Sequence, residues 1–172
     1  MNAIINPPAI RPFAISHIFN APRDQVWRAW TERERLMPWF GPKGSTMPVA
    51  KIDFRPRGIC HFCLRSPDGS EMWGKWVFRE IVKPEKLVFV HSFSDADGGL
   101  TRHPLHPSWP LELLATVTFA EQNHRTALTV QWLPLNPTDE ERKTFDSSHE
   151  SMKQGWSGTF ERLADYLAQA QG

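Results

Sequence analysis

The stretch from Thr138 to Ala170, TDEERKTFDSSHESMKQGWSGTFERLADYLAQA, constrains the fold more than any other part of the chain. Thr138 followed three positions later by Glu141 is a capping-box start, in which each side chain satisfies the other residue's backbone N–H. Apolar residues then recur at Phe145, Met152, Trp156, Phe160, Leu163 and Leu167, with Glu, Lys, Arg and Gln mostly on the other side. That is the spacing of one helix face. At about 1.5 Å per residue, a single helix over this span would be roughly 45 Å long. An apolar stripe of that length needs a large partner, and the strands upstream would supply it.

Residues 1–12 are Pro-rich and read as an N-terminal arm, leaving 13–170 as one domain. Phe13 to Asn20 alternates and reads as the first strand. Pro22 suits the first turn of a helix whose apolar face is Val26, Trp27 and Trp30. A short second helix follows from about Glu32 to Trp39, ended by the breakers Gly41 and Pro42. Strands are expected at Met47–Phe54, Ile59–Ser66, Glu71–Val82 and Leu87–Ser94, separated by turn signals such as Pro67-Asp68-Gly69. A last hairpin, Leu111–Glu121 and Thr126–Leu133, leads through Pro134-Leu135-Asn136-Pro137 into the long helix. The order is β-αα-β6-α, an α+β chain with about seven strands.

The ordered pieces resemble a known family. Ala21-Pro22, Val26-Trp27 and Trp39-Phe40-Gly41-Pro42 at the start are matched by Gly155-Trp156, Phe160, Leu163 and Leu167 at the end. Between them stand Arg55-Pro56-x-Gly58, Pro67-Asp68-Gly69, Glu80-Ile81 and Pro84-Glu85-x-Leu87-Val88. Over residues 13–168 the chain resembles the activator of heat-shock-protein-90 ATPase-like family, within the SRPBCC (START/birch-pollen-allergen) superfamily. The resemblance implies a helix-grip fold: a curved antiparallel sheet wraps one long C-terminal helix, usually with a cavity between them. In that family the two small helices lie at the cavity mouth, which makes Trp39 and Phe40 candidates for a gate.

Strand alternation puts Cys60, Phe62, Leu64, Met72, Trp76 and Phe78 on the face toward the helix. Leu87, Phe89, His91, Phe93 and the inward residues of the last hairpin, from Leu113 to Trp132, join them. His91 is out of character on that face, and His149 falls on the helix stripe between Phe145 and Met152. A buried polar group must find a partner. The expectation is that His91 anchors the polar end of a ligand, with Glu80 and His149 as partners. The same three residues are the candidates for proton handling near neutral pH. The expected ligand-binding set is Trp39, Phe62, Trp76, Phe78, Phe89, His91, Trp132, His149, Met152 and Trp156.

Other features narrow the options. The net charge is +1 with 23% charged residues, so neither nucleic acid nor membrane is expected as a partner. No apolar run approaches the roughly 20 residues of a membrane span, and the N-terminus does not read as a signal peptide. Two cysteines do not point to a disulfide scaffold, and a cytoplasmic location is the expectation. Cys60 and Cys63 form a C-x-x-C within a strand, where residues three apart point to opposite faces, so redox or zinc chemistry is not expected. Ser94 to Pro110 reads as a long irregular connection whose Leu100, Leu105 and Trp109 could cover a pocket entrance. No Walker loop, dinucleotide fingerprint, nucleophile elbow or zinc-protease motif occurs, and no cofactor or metal is expected.

The eight Trp and eleven Phe residues suit large core fillers and flat pocket walls alike. The leading functional expectation is a small-molecule binding protein for a hydrophobic or aromatic ligand, monomeric or homodimeric. The resemblance adds two others: a polyketide cyclase or aromatase-type enzyme in the same cavity, and a co-chaperone of heat-shock-protein-90.

Overall fold

Period-two alternation builds a single antiparallel sheet in this computed structural model, which describes residues 11–170. Its strands are β1 (Phe13–Phe19), β2 (Thr46–Ile52), β3 (Ile59–Arg65), β4 (Glu71–Val82), β5 (Lys86–Ser94), β6 (Leu100–Thr101), β7 (Leu113–Gln122) and β8 (Arg125–Pro134). The order is β1-β8-β7-β5-β4-β3-β2, with the two-residue β6 added to β5. The expected phase holds: Cys60, Phe62, Trp76, Phe78, Leu87, Phe89, Leu113 and Val130 are all buried. His91 of β5 pairs with Trp76 of β4 on one side and Leu113 of β7 on the other.

The small helices are α1 (Arg23–Thr31) and α2 (Arg33–Leu36). Pro22 is the N-cap of α1, one position ahead of the first turn where the sequence placed it. α2 is shorter than the expected 32–39, because Met37–Trp39 turns back. Trp27 packs against Phe119 of β7 with ring centroids 5.2 Å apart, and Trp30 stacks on Trp76 at 6.1 Å. Trp39 is wholly buried, its Nε1 donating to the Ala29 carbonyl at 3.2 Å, which fastens the end of α2 onto α1.

The C-terminal stretch is two helices, α3 (Asp139–Ser147) and α4 (His149–Ala170), where one was expected. The capping box of α3 is present: Glu141 N–H donates to Thr138 Oγ1 at 3.1 Å, and Thr138 N–H donates to Glu141 Oε1 at 2.9 Å. The break falls at Ser148, with φ −100 and ψ 5. Its hydroxyl donates to the Thr144 carbonyl at 2.6 Å, while Met152 N–H already bonds to the Ser148 carbonyl at 2.9 Å. The chain can therefore end one helix and begin the next without stranding backbone groups. α4 alone, at 22 residues, lies across the concave face of the sheet, with Phe160 on Phe19 at 5.7 Å and Trp156 on Trp132 at 5.6 Å. This is the α+β helix-grip architecture.

The connection between β5 and β7 is pinned to α3 in place of folding over a pocket. Arg102 pairs with Glu141, Thr144 Oγ1 donates to Ser108 Oγ at 2.9 Å, and Trp109 packs on Phe145 at 5.8 Å. Leu105, 74% exposed, points away from the core.

Candidate functional site

A cavity of about 240 Å³ lies between the sheet and α4. Its floor comes from the β3, β4 and β5 residues Phe62, Gly74 and His91, with Trp132 of β8 beside them. Gly74 leaves room for the Phe62 ring: a Cβ there would lie 2.8 Å from Phe62 Cζ. One wall is a face of α4, Met152, Gly155, Trp156 and Thr159. The rim next to this helix is Phe40, Gly41 and Pro42, with Leu64, Met72, Trp73 and Phe93 completing the lining.

The rim is held from the helix. Arg162 donates to the carbonyls of Gly41 (3.1 Å), Pro42 (2.8 Å), Pro38 (3.2 Å) and Ser45 (3.1 Å), and to Ser45 Oγ (3.2 Å). Burial lowers its pKa from the usual value, but a guanidinium stays charged. Thr159 Oγ1 bonds to the carbonyls of Gly41 and Gly155, both at 3.1 Å. Gly41 adopts φ +118, a conformation that a side chain would strain.

The cavity walls are apolar, and no charged side chain lines them among the described residues. Thr159 has committed its hydroxyl to carbonyls. His91 has no hydrogen-bond partner among the described residues, and its ring faces Trp132 at 5.3 Å and Phe93 at 6.3 Å. Burial pushes its pKa down to about 4, so the imidazole is neutral at pH near 7. Such a ring offers one donor and one acceptor.

Phe62, His91, Trp132, Met152 and Trp156 of the expected set thus converge on the cavity. Trp76 and Phe89 lie deeper, stacked on each other at 4.4 Å, and Phe78 lies deeper still, against Phe54 at 5.2 Å. Trp39 is core, and its neighbour Phe40 takes the rim position. Glu80 does not reach His91. A bulge between Phe78 and Glu80 reverses the alternation, so Glu80 pairs with outward-facing Val88 and bonds Lys86 at 2.8 Å. His149 does not reach it either: Phe13 and Trp132 stand between them, with Phe13–His149 at 5.8 Å and Phe13–Trp132 at 6.2 Å. His149 Nε2 is buried without a partner among the described residues, and its pKa is lowered, chiefly by burial and then by the Arg11 charge. The three expected proton-handling residues therefore occupy three separate places. No residue from 95 to 112 lines the cavity, which removes the expected lid.

Phe40 is, with Trp39, one of the two gate candidates; the residues that sequence reasoning missed are chiefly Gly41, Pro42, Gly155 and Thr159. Gly155 had a signal: a glycine inside an apolar helical stripe marks a close approach or open space. A Cβ there would meet nothing within 4 Å. Cys60 and Cys63 are both free and buried, and Cys63 Sγ is turned to Glu71 Oε2 at 3.4 Å. No group of three or more His, Cys, Asp or Glu able to hold a metal occurs among the described residues. No described helix is long and apolar enough to cross a membrane.

Comparison with known proteins places this geometry. The family described as "Activator of Hsp90 ATPase homolog 1-like protein" matches residues 20–168. No curated protein matches the chain. Among solved structures, a protein from Nitrosomonas europaea is similar at TM-score 0.73 and 21% identity, covering 93% of this chain and 96% of that one. An Arthrobacter aurescens protein gives 0.73 at 25% identity, over 92% of this chain and 86% of the other. An AHSA1 protein from Silicibacter pomeroyi gives 0.72 at 15% identity, over 93% and 99%.

Proposed function

The chain belongs to the Activator of Hsp90 ATPase homolog 1-like family, and on that premise we propose that it is a small-molecule binding protein holding a hydrophobic or aromatic ligand between the sheet and α4. The observation that carries this reading is the cavity of about 240 Å³, walled by Phe62, Trp132, Met152 and Trp156 and offering His91 as a polar group. Apolar walls with few convergent polar groups are the general form of a ligand site. An apolar cavity of about 150 Å³ holds benzene, so this space suits a bicyclic aromatic.

The cyclase-type alternative draws less support. Proton transfer in such an enzyme asks for an acid and a base near one substrate, and His91 shares the cavity with neither Glu80 nor His149. The chaperone alternative rests on the family's description and has no separate observation in its favour. Titration with naphthalene, followed through the indole N–H resonances, tests the leading reading. Saturable shifts at one equivalent, centred on Trp132 and Trp156, are expected. Absence of any saturable shift would contradict it.

A further inference from the structure

The convex face of the sheet, opposite the cavity, carries one continuous apolar row. Ile59 of β3 pairs with Val77 of β4, Val77 with Val90 of β5, Val90 with Leu114 of β7, and Leu114 with Leu133 of β8. Each stands next in sequence to an inward residue, Cys60, Trp76, Phe89, Leu113 or Trp132, so all five side chains point away from α4. Polar residues flank the row: His61, Lys75 and Ser92 on one side, Thr116 and Gln131 on the other, where Val88 widens it. The helices α1 and α4 pack on the opposite face, against Phe119, Phe19 and Trp132. Ile59, at one end of the row, remains 44% exposed. A contiguous apolar patch with a polar border marks a contact surface.

Residues 1–10, MNAIINPPAI, lie outside the described residues. They carry no charged side chain, and Ile4, Ile5 and Ile10 are among them. They join the body at the other end of the row. The β1–β8 register begins at Phe13↔Trp132, and its next step sets Pro12 against Leu133. From Pro12 back to Ile5 is seven residues, which reach about 23 Å when extended. From β8 to β3 the row crosses four strand spacings, about 19 Å. We infer that residues 1–10 of this chain lie along the row from Leu133 to Ile59 and cover the convex face. Ile10 packs near Leu133 and Leu114, and Ile5 near Val77 and Ile59. Pro7 and Pro8 keep the crossing extended and bring no N–H onto apolar side chains. The occupant is the chain's own segment, because a short tether holds it at a roughly millimolar effective concentration, well above that of a second copy.

The test is methyl NMR on the full chain with Ile, Leu and Val methyls labelled. Through-space contacts are expected from Ile10 to Leu114 and Leu133, and from Ile5 to Val77 and Ile59. A sample mixing labelled and unlabelled chains separates contacts within a chain from contacts between chains, and these should lie within one chain. A second measurement follows removal of the segment by a nonspecific protease, read by mass. Replacing both Leu114→Asn and Leu133→Asn should speed that cleavage by at least about tenfold. If this variant does not fold, Ile5→Asn, which changes only the segment, takes its place with the same expectation. Absence of contacts between the segment and the row overturns the inference, and so does an unchanged cleavage rate in the folded variant. Contacts of the segment or the row found only between chains overturn it as well, because a second copy would then cover the face.

Discussion

The ring of His91 lies 5.3 Å from that of Trp132, in a cavity with no charged lining residue among those described. A proton on that ring would have no counter-charge, so burial lowers its pKa from 6.5 to about 4. The consequence is a pH dependence of known sign. Between those values the unfolded chain takes up a proton that the folded chain refuses. Stability is therefore full above about pH 6.5 and falls as pH drops toward 4. By about pH 5 this group alone costs about 2 kcal/mol. Urea unfolding at about pH 7 and about pH 5 should show His91→Leu losing less stability than wild type by roughly that amount. Equal losses would contradict the assignment.

Arg162 sends all its described hydrogen bonds to the segment Pro38–Ser45. Truncation takes the guanidinium from the Pro38 and Ser45 carbonyls and frees the cavity rim, while the Gly41 carbonyl keeps Thr159 and the Pro42 carbonyl keeps Ser45. Arg162→Met should cost about 2–4 kcal/mol in denaturant unfolding. A loss below about 1 kcal/mol would mean that water replaces these bonds freely.

Thr138 closes the capping box of α3, and Glu141 is also held by Arg102. Thr138→Ala should cost about 1 kcal/mol, with Thr138→Ser nearly neutral. The same loss in both variants would point to packing of the Thr methyl as the cause.

Burial pushes the Cys60 thiol up to about 12, and burial with the neighbouring Glu71 carboxylate pushes Cys63 up to about 11. Neither forms much thiolate near neutral pH. A thiol reagent should find no rapidly reacting cysteine in the native chain and both after unfolding. Fast modification of either in the native state would reopen redox chemistry at this pair.

The sheet was legible because alternation survives wherever one face is buried: β4 ends at Glu71 and Val82, as its pattern indicated. Legibility stopped where one residue changed the phase. The bulge before Glu80 turned an expected inward carboxylate to solvent, and nothing in Phe78-Arg79-Glu80 announces it. Ser148 was hidden in another way, since Phe145 and Met152 keep one apolar stripe across the break. At the site, Trp39 and Phe40 are equally aromatic neighbours. Which one faces the cavity is decided by the Trp39–Ala29 hydrogen bond, a tertiary contact. His91 was readable as a polar residue on an apolar face. Its separation from His149 was not, because Phe13 and Trp132 come from strands remote in sequence.

Gly155 tests the account most directly. It lines the cavity from the middle of α4, and a Cβ there meets nothing within 4 Å. Gly155 is exposed, so leucine would project into the open side of the cavity and remove the helix cost of glycine, about 1 kcal/mol. The measurement is parallel titration of wild type and Gly155→Leu with naphthalene, alongside their urea unfolding. The variant should be at least as stable as wild type and should bind naphthalene at least about tenfold more weakly. A Gly155→Leu protein that binds naphthalene as wild type does would contradict binding between the sheet and α4, because the ligand would then occupy some other place.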